Sequence, residues 1–349
     1  MKYKKLGRTD IDVSTICLGT MTFGEQNNQE DGFEQMDYAL DQGVNFFDTA
    51  ELYSIPARER TYGKTEEIVG NWISERSNRD KVIIASKISG ARCDWIRGGS
   101  DISAKTVLEA VEGSLTRLKT DYIDLYQLHW PNRNVPTFSN YYGFTPEVND
   151  YNKERDDFND ILESLDQLVK SGKIRHAGLS NETSWGALEF LKISENKQWP
   201  RMASIQNEYS LVCRKAEGDL SEVCLAEDIG ILAYSPLAWG YLTGKYMNGA
   251  IPPKSRLTID GASDFMTYRA TSSCLAAVDE YYGVAKKHNL DFAQMSLAFV
   301  NSKPFVTSNI IGATTMDQLK SNISSVDIVL TQDVIDEIEV VRKKYPIPY

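Results

Sequence analysis

Eight short runs of apolar and β-branched residues, separated by longer amphipathic stretches, restrict the fold of this chain more than any other feature. The runs are Ile16–Leu18, Asn45–Thr49, Val82–Lys87, Tyr122–His129, Ile174–Ser180, Met202–Asn207, Ile231–Ser235 and Asn309–Gly312. Helix-like segments lie between them at Asp31–Gln42, Ser103–Leu118, Asp157–Ser171 and Ser184–Asn196. In the second of these, Val107, Leu108, Val111, Leu115 and Leu118 recur at helical spacing, with Ser103 as the cap. Strands that are apolar throughout and each followed by a helix need cover on both faces, as in a parallel α/β sheet. Eight such units favour closure into a (β/α)8 TIM barrel over an open doubly wound sheet. No Gly-x-Gly-x-x-Gly follows the first run, which also argues against a dinucleotide-binding open sheet. A length of 349 residues suits one such barrel with extended loops. Without an internal repeat or a low-complexity linker, residues 1–349 are expected to form one domain. Lys2–Lys5 and Asp12–Val13, around Gly7-Arg8-Thr9-Asp10, predict a β-hairpin ahead of the barrel.

The net charge of −11 argues against nucleic acid or an anionic membrane surface as the main partner, because both require basic patches. An anionic small molecule needs only a few local cations and stays open. Five cysteines, Cys17, Cys93, Cys213, Cys224 and Cys274, are widely spaced with no Cys-x-x-Cys pair, which fits reduced thiols and no structural zinc. No metal site is expected. The start of the chain has no apolar stretch, and no run of about 18 apolar residues predicts a membrane span. A cytoplasmic protein is expected, either a monomer or a small homo-oligomer.

Three connections are too long for simple crossovers: Ser54–Thr65, Ser89–Asp101 and Pro131–Asp156. All leave the carboxyl end of a strand, where barrel enzymes build their sites, and are read as lids or substrate walls. Four polar groups lie at or just beyond the same strand ends: Asp48, Tyr53, Lys87 and His129. Consecutive strand ends of a parallel barrel share one mouth, so these residues are expected to converge. A phenol with an ordinary pKa near ~10 is a poor acid–base group at neutral pH, and an adjacent ammonium favours its ionised form. A carboxylate beside that ammonium anchors it, and a histidine orients a carbonyl oxygen. Such a cluster can give a proton to an oxygen while another agent delivers hydride.

A second constellation occupies the later strand ends. Ser180 and Asn181 follow the fifth run, Gln206 the sixth, and Tyr234-Ser235-Pro236-Leu237 the seventh. Ser180, Asn181 and Gln206 suit a carboxamide, and Tyr234 suits stacking under a nicotinamide ring. The small residues Gly240 and Gly244, the cations Lys245 and Arg256, and Gly312-Ala313-Thr314 after the eighth run suit phosphate binding. Phe23, Trp95, Trp130 and Trp239 are candidate walls of an apolar pocket.

The chain resembles the aldo-keto reductases over nearly its whole length, from Leu18-Gly19-Thr20-Met21 to about Asn322. The most specific stretches are Phe47-Asp48-Thr49-Ala50-Glu51-Leu52-Tyr53, Ile84-Ala85-Ser86-Lys87, Asp124-Leu125-Tyr126-Gln127-Leu128-His129-Trp130, Gly178-Leu179-Ser180-Asn181 and Tyr234-Ser235-Pro236-Leu237. In detail it looks closest to a bacterial branch allied to potassium-channel β-subunits. The resemblance implies an NADP(H)-dependent oxidoreductase acting on a small carbonyl substrate, with Asp48, Tyr53, Lys87 and His129 as catalytic tetrad and Tyr53 as general acid. It implies that Gly19, Thr20, Met21, Ser180, Asn181, Gln206 and Tyr234 lie by the nicotinamide. It further implies that Ser235, Leu237, Gly240, Gly244, Lys245 and Arg256 follow the phosphates, and that Thr314, Gln318 and Asn322 surround the adenosine. The chain departs from the family pattern at Gly312, where many members carry Lys, and at Ser321, where many carry Glu. An alternative is a regulatory module that senses the nicotinamide cofactor and reduces carbonyls slowly. A third reading is a barrel isomerase or aldolase using Lys87 as a Schiff-base amine.

Overall fold

A computed structural model describes residues 1–138, 144–260 and 267–349. Eight parallel strands close into a barrel in the order β10-β3-β4-β5-β6-β7-β8-β9. They are β3 (Ile16–Gly19), β4 (Phe46–Asp48), β5 (Ile83–Ile88), β6 (Ile123–Leu128), β7 (Ile174–Ser180), β8 (Met202–Glu208), β9 (Gly230–Tyr234) and β10 (Val306–Ile311). Each predicted run overlaps one of them, with ends offset by up to three residues. Strands β1 (Tyr3–Lys5) and β2 (Asp12–Ser14) pair antiparallel as the expected hairpin. Its Leu6, Ile11 and Val13 pack with Cys17, Phe46, Leu125, Ala203 and Leu232 in an inner cluster separate from the main core.

The helices flank the barrel because their apolar stripes pack on the outer faces of the strands. Those that position the site are α1 (Gln29–Asp41), α2 (Lys64–Arg76), α3 (Ala104–Leu118), α4 (Tyr151–Lys170), α5 (Ser184–Lys197) and α6 (Asp219–Glu227). They are followed by α7 (Ser272–Lys287), α8 (Phe292–Asn301), α9 (Met316–Ser324) and α10 (Gln332–Lys344). Ser103 caps α3 as expected: its hydroxyl accepts from the Thr106 amide, while the Thr106 side chain accepts from the Ser103 amide. In the main core Phe47, Trp72, Leu118, Tyr126, Leu162 and Phe190 fill the space between strands and helices. No helix among the described residues is long and apolar enough to cross a membrane.

Two of the three long connections are shorter than the sequence suggests. Helix α2 begins at Lys64, so the segment after β4 ends there. Helix α4 begins at Tyr151, six residues ahead of the expected start, because Asp150 caps it by accepting from the Asn152 and Lys153 amides. Its first turns are polar and lack the apolar repeat that marks the rest of the helix. Part of that connection, 139–143, lies outside the described residues. The candidate pocket walls also separate. Phe23 is fully buried in the main core and Trp95 faces solvent, whereas Trp130 and Trp239 lie at the barrel mouth.

Candidate active site

Asp48 ends β4, Lys87 is the penultimate residue of β5, and His129 follows β6 directly. These strands are neighbours in the barrel, so their carboxyl ends bring the three side chains together with Tyr53, which turns back just beyond β4. Lys87 Nζ donates to Asp48 Oδ2 at 2.7 Å and to the Thr49 carbonyl at 2.7 Å. The same nitrogen lies 4.9 Å from the Tyr53 ring centroid. The Tyr53 and His129 rings meet edge-on with centroids 5.8 Å apart, and His129 lies against Trp130 at 4.6 Å. All four residues of the expected tetrad therefore converge at the carboxyl ends of neighbouring strands.

The second carboxylate oxygen of Asp48 is held as well. Gln206 Nε2 donates to Asp48 Oδ1 at 2.8 Å, and Gln127 Nε2 approaches the same atom at 3.4 Å. Gln206, expected to face a carboxamide, thus directs its amide nitrogen at Asp48 and at Gln127 Oε1. Thr20 ties the end of β3 to β4, its amide and hydroxyl both donating to the Asp48 carbonyl. Gly19 is required beside it, because a Cβ there would stand 2.9 Å from both Ile310 Cγ2 and the Ile311 carbonyl oxygen. Met21 accepts the Ile55 amide through its own carbonyl, which attaches the segment beyond Tyr53 to the rim.

Burial works against the Lys87 ammonium, but Asp48 and Tyr53 overcome it and hold its pKa above the ordinary lysine value. The Tyr53 phenol behaves differently from the sequence-based expectation. Burial pushes its pKa up, the Lys87 ammonium pulls it back, Asp48 adds to the rise, and the net direction is upward. The ammonium limits the rise without reversing it, because desolvation of a buried phenolate is the larger effect. His129 lies well below the ordinary imidazole value through burial first, with Lys87 and Arg92 adding to it. It is a neutral ring, and its Nδ1 has no protein partner among the described residues.

A neutral buried imidazole has a consequence for stability. Between its folded and unfolded pKa values the unfolded chain binds the extra proton, so stability is present above about pH 6.5 and is lost on acidification. The unfolding free energy should therefore fall by up to about 1.4 kcal/mol per pH unit from this residue. Urea titrations between pH 7 and 5 should show the fall, and His129→Gln should lessen it. An unchanged slope in that variant would mean the imidazole is charged in the folded protein.

On the opposite side of the mouth, Ser180 donates to the Gln206 carbonyl, and Asn181 Nδ2 donates to the His129 carbonyl and to Ser180 Oγ. Tyr234 donates its phenol to Asn181 Oδ1 at 2.7 Å. This chain of bonds fixes Ser180, Asn181 and Tyr234 as one face of the mouth. Beyond β9 the backbone folds into a strap with left-handed φ at Ser235, Ala238, Trp239, Gly240 and Gly244. At Gly240, with φ of 105°, a Cβ would come within 2.6 Å of Lys245 Cε. The Arg256 guanidinium lies 4.9 Å from the Trp239 ring centroid, and Gly312 faces it closely enough that a Cβ there would be 3.6 Å from Nη2. Leu237 lies partly buried against the core at the foot of the strap. Thr314, Gln318 and Asn322 cluster after β10: the Thr314 amide donates to Gln318 Oε1, and Asn322 donates to the Gly312 carbonyl.

The strap region holds buried polar atoms with no protein partner among the described residues: Trp239 Nε1, Tyr246 Oη and Ser255 Oγ. Among the described residues neither Lys245 nor Arg256 makes an ion pair there, although burial lowers both, Arg256 to about 10. Cations and donors unpartnered among the described residues, beside left-handed backbone, fit a polyanionic cofactor that would supply their counter-groups.

Three features escape sequence reading. Glu51 is fully buried, accepts from Arg97 and from the Ser89 amide, and takes the Tyr62 phenol at 3.1 Å. Glu208 pairs with buried Arg269 and accepts the Tyr349 phenol. Arg133 is buried against Glu182. Glu51 lies within the stretch from Asp48 to Tyr53, but its partner Arg97 is 46 residues away, and local pattern cannot join them.

A parallel barrel with an acid–base cluster at the carboxyl ends of its strands is the architecture of a barrel enzyme. The aldo/keto reductase family model matches residues 15–343, and the chain belongs to that family. It is 44% identical to Protein tas of Escherichia coli K12 over all of this chain and 99% of that protein. It is 30% identical to a probable voltage-gated potassium channel subunit beta of Arabidopsis thaliana, covering 99% of this chain and 98% of the other. It is also 28% identical to versiconal hemiacetal acetate reductase of Aspergillus parasiticus, over 97% of this chain and 96% of that one. Members of the family generally use nicotinamide cofactors.

Proposed function

We propose that this protein is an NADPH-dependent reductase that converts aldehydes or ketones to alcohols, with Tyr53 as the proton donor. The observation that carries the reading is the convergence of Tyr53 with Lys87, which is itself paired with Asp48 inside the barrel mouth. The reductase named among the relatives from Aspergillus parasiticus supports it. Ser180, Asn181 and Tyr234, with Gly19, Thr20 and Met21 opposite, would hold the nicotinamide end, and Gln206 would support them from behind through Asp48. Ser235, Leu237, Gly240, Gly244, Lys245 and Arg256 would hold the phosphates, and Thr314, Gln318 and Asn322 the adenosine. When bound, the reduced nicotinamide supplies hydride to the carbonyl carbon.

The residues of the chain do the rest. Tyr53 gives its proton to the carbonyl oxygen, and neutral His129 donates a hydrogen bond that orients that oxygen. The Lys87 ammonium stabilises the phenolate that Tyr53 leaves, and Asp48 keeps Lys87 in place and charged. This division of labour disfavours Lys87 as a Schiff-base amine, since Asp48 and Tyr53 hold it in the protonated form. The direct test is the loss of reduced-nicotinamide absorbance when NADPH is mixed with aromatic aldehydes, dicarbonyls and ketones. Turnover on at least one class is expected. Tight NADPH binding with no turnover would instead favour a cofactor-sensing module.

Preference for NADPH rests on Lys245 and Arg256, because Gly312 contributes no cation. A charge-assisted hydrogen bond contributes about 1.5–3 kcal/mol. Arg256→Gln should therefore weaken NADPH binding by roughly 10- to 100-fold and leave NADH nearly unchanged. Fluorescence titration with both cofactors checks this. Equal weakening would move Arg256 to the pyrophosphate that both share.

A further inference from the structure

The connection after β5 carries an arginine that the reaction proposed above does not use. Three arginines lie around this part of the mouth. Arg97 is committed to Glu51 and Arg133 to Glu182. Arg92 differs: among the described residues it makes no ion pair and donates no hydrogen bond. Its guanidinium is instead held between two rings, 5.1 Å from the Trp130 centroid and 4.7 Å from the Phe138 centroid. Stacking of this kind fixes a guanidinium in place while leaving its edge donors free.

Its position relative to the reacting groups follows from the ring contacts. Tyr53 meets His129, His129 lies on Trp130, and Trp130 carries Arg92. Leu52, Ile96 and Trp130, with Tyr53, Ile55, Cys93 and Phe138 packed against them, form an apolar wall that includes both the Tyr53 ring and the two rings holding this cation. The Trp130 indole nitrogen adds a second unsatisfied donor: the residue is 5% exposed, and Nε1 has no partner among the described residues. It lies on the side of Gly90, where a Cβ would stand 2.9 Å from it, two residues from Arg92. Burial lowers Arg92, with Tyr234 and Cys93 opposing, and Arg92 in turn helps to keep His129 neutral. Arg92 is itself exposed, so the free edge of its guanidinium faces solvent and is open to an anionic ligand. In a chain of net charge −11 with carboxylates available to pair with most of its arginines, this one is left without any among the described residues.

We infer that the preferred substrates are carbonyl compounds carrying an anionic group, a carboxylate or a phosphate, which Arg92 binds across the apolar wall from Tyr53. The inference rests on the reductase reading of the same site. The planar edge of a guanidinium matches either anion through paired hydrogen bonds. The intervening wall of Leu52, Ile96 and Trp130 suits the hydrocarbon between the carbonyl and the anion.

The test compares matched substrates on the wild type, Arg92→Gln and Arg92→Lys, all with NADPH. One pair is 4-carboxybenzaldehyde and its methyl ester; the other is glyceraldehyde 3-phosphate and glyceraldehyde. The wild type should prefer the anionic member by at least roughly 10-fold in kcat/KM, mainly through KM, as expected for one charge-assisted contact. Arg92→Gln should remove that preference, and Arg92→Lys should restore part of it. The pair with the larger change identifies carboxylate or phosphate as the anion. Equal use of both members by the wild type, or a preference that survives in Arg92→Gln, overturns the inference. Calorimetric binding of 4-(hydroxymethyl)benzoate and its methyl ester to the cofactor-loaded protein gives a readout that needs no turnover. If neither aldehyde is reduced, the reductase reading fails, while Arg92 is still judged by whether the acid binds more tightly than the ester and loses that advantage in Arg92→Gln.

Discussion

Tyr53→Phe should lower kcat/KM for carbonyl reduction by roughly 10²–10⁴-fold, the range of one positioned proton donor, while the Kd for NADPH changes by less than about threefold. The substitution removes one oxygen and leaves the ring, so the ring contacts with His129 and Lys87 persist while the phenol's bond with Lys87 is lost. The residues proposed to hold the cofactor lie on other strands and on the strap, which is why binding should be spared. Steady-state kinetics with titration of the free protein measure both quantities. Full activity in the variant would sink Tyr53 as the acid and direct attention to a water held by His129. Because burial and Asp48 raise the phenol while Lys87 opposes them, Lys87→Met should raise it further and reduce kcat, with the alkaline limb of the rate profile moving upward.

Asp48→Ala is expected to damage folding as well as turnover. Asp48 and Lys87 are both buried, and removing one partner leaves the other as an uncompensated charge, which costs about 3–5 kcal/mol. The loss extends to Gln206 and Gln127, whose amide groups would face an empty site. Urea unfolding at constant slope against denaturant should show the full decrease, together with a kcat at least as low as that of Lys87→Met. A decrease below about 1 kcal/mol would mean that the Thr49 carbonyl and solvent satisfy Lys87 without its carboxylate.

Much of this site was legible in the chain because its parts occur at strand ends. The apolar runs mark the strands, and the polar residue that closes a run falls at the barrel rim wherever the strands are parallel. Asp48, Lys87 and His129 follow that rule, and Tyr53 follows from the length of the turn after β4. Gln206 also obeys it, yet its nitrogen turns inward to Asp48. Strand position specifies which rim a residue occupies but not which neighbour its side chain selects. Phe23 makes the same point: it was a candidate pocket wall, but the turn after β3 carries it into the main core.

Local periodicity thus determined the number, order and approximate bounds of the barrel strands, the hairpin ahead of them and the cap of α3. These properties depend on residues within a few positions of each other, where chain geometry alone relates side chains to faces. Tertiary structure decided the buried pairs Glu51–Arg97, Glu208–Arg269 and Arg133–Glu182, the raised phenol of Tyr53, the neutral His129, and the isolation of Arg92 between two rings. All but the last depend on which groups from distant segments exclude water around a charge, and that exclusion sets the balance between desolvation and Coulomb attraction, while exposed Arg92 depends on rings brought to it from another connection.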